Sequence, residues 1–423
     1  MRKIGRILLI TSFLFNMGIA SAQDFWQHMG SCDTALFFDM IVDPGGRIFL
    51  GDSDLDPTID GGLLRSDDDG LTWQVKTNGI PHPYIRAITV KKDSTLFVSA
   101  DYGVYRTYNL GENWQWMYDA SMDLEHNAIQ YGYDSILLLG GGREKAISRS
   151  TDDGETWSVV LNLYNSLYWE YITDIIFGPN NVIYACSTYT NNWSNNNPKV
   201  YYSTDFGITW SVFWDPETLA SFETMEFDNV GRLLVGGYNG IDRYDLISDV
   251  WDHIGLNTRV TDILVVPDNR IYLACDPSSG GWGGVVASED GGNSYTTILN
   301  SGLINGDARK FAVDRAGRIL MITSGQFYRS YDTIFTSTND PIKANKSNLS
   351  CYPNPFGDFV TFKSQGNENL NIGIYSNFGK IISTFEIPPC GEYRFDASFL
   401  SPGIYIAKID SKHQAQTLKL VHY

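Results

Sequence analysis

Asp39, Asp174, Asp262 and Lys310 open four apolar stretches at matching points of a repeating chain. Ala87, Asn127 and Thr224 hold the same point in three further repeats. Arg86, Arg259 and Arg309 lie beside it, and Asp101 follows the next apolar run. Gathered at one channel mouth, these groups allow three kinds of chemistry. Two carboxylates about 5–9.5 Å apart, one kept protonated near neutral pH, would hydrolyse a glycosidic bond. A mixed-charge rim would bind a ligand. Alternatively, the charges pair with one another or fasten one repeat's backbone to the next. Like charges in a narrow pore would raise at least one carboxyl pKa, and the neighbouring cations oppose that shift. Asp39, Asp101, Asp174 and Asp262 are therefore the catalytic candidates. Arg86, Arg259, Arg309 and Lys310 are the ligand-binding candidates.

Aromatic and amide side chains crowd the loops on the same side. Loop 187–199 carries Tyr189 and Trp193, loop 275–285 carries Trp282, and the loop before residue 170 carries Tyr164, Tyr168 and Trp169. Such rings stack on sugar faces while amides bond hydroxyls; equally, they pack long loops down. Loop 51–63 holds Asp52, Asp54, Asp56 and Asp60, but Pro57 stands where a calcium loop needs glycine, and no glutamate follows in place. Histidines are few and scattered, so no metal site and no cofactor is expected.

A unit of ~30–45 residues positions these groups. Each unit has an apolar strand, a turn such as 42–51 or 313–322, a second strand, a variable loop and a final hairpin. Seven units run to about residue 338. The hairpin repeats one pattern: Ser66, Asp68, Gly70, Trp73; then Ser150, Asp152, Gly154, Trp157; then Ser203, Asp205, Gly207, Trp210; then Ser288, Asp290, Gly292, Tyr295. A weaker copy spans 106–114; the fifth copy (243–251) lacks the Asp and Gly, and the seventh is truncated at 329–332. Ser and Asp side chains bond local backbone donors, Gly supplies positive φ, and the aromatic ring returns to the core.

This pattern resembles the Asp-box of sialidase-type and related β-propellers. The resemblance implies an all-β chain, a seven-bladed β-propeller over 23–338, with the box aspartates in structural roles away from the active face. Phe25-Trp26-Gln27-His28 resembles the strand that follows a box, so residues 24–29 are expected to complete the last blade and close the ring. A solenoid is the runner-up.

Residues 1–22 read as a secretory signal, with Arg2, Lys3 and Arg6, an apolar run, and Ala20-Ser21-Ala22 before the cleavage point. Residues 339–349 read as a polar linker. In 350–423, Tyr352-Pro353-Asn354-Pro355-Phe356, Ile374-Tyr375, Leu400-Ser401-Pro402-Gly403-Ile404-Tyr405 and Lys419-Leu420-Val421 resemble the type IX secretion sorting domain of Bacteroidota. That implies a small Ig-like β-sandwich, partnership with the secretion machinery, and a secreted or cell-surface protein. Cys351 and Cys390 share this domain and are candidates for a disulfide, which export permits. Cys186 and Cys275 read as small buried apolar residues.

The net charge of −18 argues against nucleic acid as partner. Two functions remain. One is a monomeric, non-catalytic binding protein for glycan or protein. The other is a glycoside hydrolase: Tyr84-Ile85-Arg86-Ala87 faintly resembles the sialidase Arg-Ile-Pro motif, and Ser99 to Arg106 is similar to a catalytic stretch of xyloglucan-degrading enzymes. Sialidases have six blades and xyloglucanases two propellers, so each enzyme reading lacks a part. The binding reading is preferred.

Overall fold

The computed structural model describes residues 24–333 except 32–36, 53–61, 102, 120–127, 133–134, 164–169, 190–197, 217–220, 247, 267–268, 278–282 and 305. Of the tail it describes 349–352, 359–364, 369–376, 381–397, 403–410 and 415–422. The signal segment, the linker and most of the aspartate-rich 51–63 loop lie outside the described residues.

The propeller consists of seven four-stranded antiparallel sheets. The innermost strands are Phe37–Val42, Ile85–Val90, Ala128–Tyr131, Glu170–Phe177, Phe222–Phe227, Arg259–Val265 and Ala308–Val313, in blades one to seven. Each neighbours the next in order, and the seventh returns beside the first. Second strands are buried throughout, such as Leu96–Ala100 and Ile271–Asp276, because both faces are covered by adjoining blades.

The boxes form one hydrogen-bond circuit, repeated. In blade one, Ser66 Oγ donates to Asp68 Oδ1 at 2.8 Å and accepts from Gly70 N at 2.8 Å. Asp68 then accepts from Thr72 N at 2.8 Å and Thr72 Oγ1 at 2.7 Å. The circuit recurs at Ser150/Asp152, Ser203/Asp205 and Ser288/Asp290. The weak copy keeps it with neutral groups: Thr107 Oγ1 donates to Asn109 Oδ1 at 2.7 Å. Burial pushes the Asp205 carboxyl upward, but the Thr209 and Ser203 donors outweigh it and hold the pKa at about 2. The box residue before glycine has positive φ even where it is Leu110 (60°) or Phe206 (61°). Its carbonyl serves the preceding blade: Arg65 donates to Leu110 O, Arg106 to Asp153 O and Arg149 to Phe206 O, at 2.8–2.9 Å. The box aromatics wedge between blades, as where Trp73 meets Phe327 edge-on at 5.3 Å.

The ring closes with the N-terminal strand. Trp26–Ser31 pairs antiparallel with Gln326–Thr333 as the outer strand of blade seven. Trp26 is 2% exposed, and its indole N–H donates to Leu299 O at 2.6 Å. The strand begins two residues later than the sequence suggested.

In the tail a three-stranded and a four-stranded sheet share one core, including Val360, Phe362, Ile372, Ile374, Phe395 and Leu420. Cys351 and Cys390 are unbridged. Cys186 and Cys275 are fully buried, and burial pushes the Cys275 thiol up to about 12.

Candidate functional site

The central channel contains a cavity of ≈ 330 Å³. Its shape follows from a repeated irregularity. Six innermost strands slip register by one residue, between Phe37 and Asp39, Ile85 and Ala87, Ile172 and Asp174, Phe222 and Thr224, Val260 and Asp262, and Ala308 and Lys310. A bulge leaves one residue out of the ladder and re-aims its side chain. The extra residues are Phe38, Arg86, Thr173, Glu223, Thr261 and Arg309, all of which line the cavity.

At three of the six bulges the next residue is an aspartate that ties blades together. Asp39 accepts the amide of Met40 at 2.8 Å and that of Ile88, in blade two, at 2.7 Å. Asp174 does the same with Ile175 at 2.8 Å and Met225, in blade five, at 2.7 Å. Asp262 accepts Phe311 N of blade seven at 2.7 Å and the Lys310 ammonium at 3.0 Å. Thr173 and Thr261 add a second tie, each hydroxyl donating to a carbonyl of the following blade at 2.9 Å. Thus Asp39 and Asp174 line the channel cavity, and the oxygens of all three ring aspartates serve the joints between blades one and two, four and five, and six and seven. Asp174→Asn is expected to weaken the joint, because the amide NH₂ would face a backbone N–H. A loss of about 1–3 kcal/mol in denaturant unfolding is expected; unchanged stability would sink the joint reading.

Sequence reasoning missed Glu226, whose alternating strand position gave no sign of its depth. Burial raises its carboxyl to about 7, opposed by the Phe227 amide it accepts and reinforced by Asp174 and Asp262. Burial likewise lifts Asp39 to about 6, with Lys310 as the main opposing charge. Asp174 is also raised by burial. Burial disfavours the Lys310 ammonium, but Asp262, Asp39 and Asp174 outweigh it and raise its pKa. Glu226 and Asp39 bind protons more tightly folded than unfolded. Their contribution to stability is complete below about pH 4 and is lost as pH rises through 6 to 7. The melting temperature is expected to fall between pH 5 and pH 8, and Glu226→Gln to flatten much of that fall. A profile equally steep in the variant would remove Glu226 from the explanation.

At the mouth the arginines stand beside acids. Arg259 meets Glu223 at 3.1 Å and Asp276, the last residue of the second strand, at 3.5 Å. Arg86 lies 3.6 Å from Asp101 and over the Tyr84 ring at 4.6 Å. Arg309 lies 3.7 Å from Asp307. The Nε atoms of Arg259 and Arg309, with Asp101 Oδ1 and Asp307 Oδ1, are buried without a hydrogen-bond partner among the described residues. The mouth thus holds three arginines, each partly buried beside an acid.

Tyr189 stands apart, over blade four, where its hydroxyl donates to Glu170 at 2.8 Å. Buried Glu170 also accepts Tyr201 and Ser187, each at 2.7 Å. Trp169, Trp193 and Trp282 lie outside the described residues. Among the described residues no group of three or more His, Cys, Asp or Glu is arranged to hold a metal ion.

Residues 350–422 match the family model described as the secretion system C-terminal sorting domain, and residues 201–212 match the BNR/Asp-box repeat. The chain is an Asp-box propeller with a type IX sorting tail. A tail of this kind marks the protein for the cell surface or the exterior. The Bacillus subtilis protein YkuO is 23% identical over 60% of this chain and 82% of its own. Two solved structures share the fold. PorZ, a surface component of the type IX secretion system of Porphyromonas gingivalis, has a TM-score of 0.56 and 16% identity, covering 93% of this chain and 60% of PorZ. YCF48, solved with a D1 peptide, has a TM-score of 0.56 and 16% identity, covering 73% of this chain and 97% of its own. The chain therefore spans about three-fifths of PorZ's length.

Proposed function

We propose that this Asp-box propeller is a secreted, non-catalytic binding protein whose channel mouth engages glycan or protein ligands as a monomer. The observation that carries this reading is the set of bulges that brings Arg86, Glu223 and Arg309 into one cavity with Arg259 and Asp276. Side chains fixed by bulges are pre-positioned, so a ligand does not bear the cost of ordering them. The glycoside hydrolase alternative would use the ring aspartates as acid and base. Asp39, Asp174 and Asp262 each accept a backbone amide from the next blade, and a general acid needs a protonated oxygen turned toward substrate. That commitment favours binding.

The test is a glycan array with parallel glycosidase assays on the secreted chain. Binding without turnover is the expected result. Turnover of any glycan would replace this reading with the hydrolase. Silence on both assays would direct the search to a protein partner.

A further inference from the structure

Blade five differs from its neighbours because its hairpin lost the box. Gly240–Asp245 and Val250–Gly255 run as two regular six-residue strands. Its aromatic, Trp251, still faces the preceding blade, blade four, as the box aromatics do. It stacks on Trp214 with ring centroids 3.7 Å apart and planes 14° apart. The other face of Trp214 is covered by Phe222 at 5.2 Å. Beside this stack lies a cleft of ≈ 320 Å³, between blades four and five.

The turn Gly237-Tyr238-Asn239-Gly240 frames the opening. It joins the second and third strands, so it lies at the same end of the blade as the channel mouth. Glycine is needed at both of its ends: a Cβ on Gly237 would sit 1.9 Å from Ser221 O, and Gly240 has φ +119° with Ile254 O in the way. The turn is pinned to Ser221, whose carbonyl accepts Tyr238 N at 3.0 Å. Tyr238 is therefore held at the cleft, 39% exposed. Opposite, His253 Nδ1 and Asp242 Oδ1 are 2.8 Å apart.

The lining is selective in chemistry. Its apolar area comes from Trp214, Trp251, Phe222, Tyr238 and Pro216, with no Leu, Ile, Val or Met among the described lining residues. Its polar groups are planar or hydroxylic: Asn239, Asp242, His253 and Ser221. No Lys or Arg is among the described lining residues; Arg259 of the channel mouth acts on Tyr238 only from beyond the lining.

We infer that this cleft is a second binding site, separate from the channel, for one ring of a neutral glycan. A pocket for an aliphatic peptide side chain would carry aliphatic walls, and one for an acidic sugar would carry a cation. Rings edged by a carboxylate, an amide and an imidazole suit a sugar, which presents an apolar C–H face and a girdle of hydroxyls. Tyr238 supplies the open stacking face; the covered Trp pair supplies a rigid wall. The cleft borders the channel mouth, since Ser221 Oγ donates to Glu223 at 2.8 Å, but its substitutions at Tyr238 and Asp242 leave the mouth arginines in place, so the two readings are tested separately.

The experiment titrates the full chain calorimetrically with neutral cello-, xylo-, manno- and laminari-oligosaccharides, alongside oligogalacturonate, sialyllactose and a peptide library. Saturable binding of a neutral oligosaccharide is expected. Tyr238→Ala and Asp242→Asn should each weaken it about tenfold or more, with melting temperatures unchanged for the exposed Tyr238. The inference is overturned if no neutral oligosaccharide saturates in the millimolar range. It is equally overturned if both variants bind as the parent does, or if acidic sugars or peptides are the ligands that Tyr238→Ala releases.

Discussion

Replacing Trp26 with alanine is expected to destabilise the propeller by about 3–5 kcal/mol. The side chain is among the largest that are fully buried. It packs with Tyr328 and Phe311 of blade seven and with Tyr272, Val285 and Ala287 of blade six. Truncation would leave a cavity at the last joint of the ring and an orphaned Leu299 carbonyl, which now accepts the indole N–H. The adjacent Asp24–Ser301 contact and the Trp26 N to Ser301 O bond at 3.1 Å would loosen with it. Thermal and urea unfolding of the variant check the point. A melting temperature equal to the parent's would mean that the first strand does not hold the ring closed.

Deleting residues 350–423 is expected to abolish export while leaving a folded propeller. The tail's core cluster is built of tail residues, and the blade clusters are built of propeller residues. Each should therefore fold on its own apolar surface. Truncated protein should accumulate in the periplasm with the parent's circular dichroism and a two-state melt. Truncated protein in the medium would contradict the sorting role, and unfolded protein in the periplasm would contradict the independence of the cores.

What could be read in advance was what is local. The Ser-x-Asp-x-Gly circuit closes within a few residues, so Ser66 with Asp68 and Ser150 with Asp152 were legible from spacing alone. Ring closure was legible because Phe25-Trp26 copies the strand after a box. The bulges were not. A one-residue slip has no compositional mark, and whether Arg86 or Ala87 leaves the ladder depends on the partner strand. The partners of Asp39, Asp174 and Asp262 lie 49 to 51 positions away, so ring position was readable and the joint was not. The cleft at blade five was hidden for another reason: a degraded motif reads as a loss, and nothing local marks that Trp251 stacks on Trp214 of the preceding blade.

The pairing of Trp26 with Ser330 also sets the order of events during folding. Adjacent blades can dock as soon as their own strands exist, since their contacts are near in sequence. The closing hairpin joins residues 298 to 302 positions apart through His28–Gln326 and Gln27–Arg329, the most costly loop closure in the ring. A chain emerging from a membrane N-terminus first would carry its closing strand unpaired until blade seven arrives. During that interval the first strand presents Phe25 and Trp26 to whatever is nearby. A circular permutant opened between two inner blades, with residues 24 and 333 joined, would turn this late event into an early one. It should fold faster than the parent at similar final stability, with less aggregation on the way.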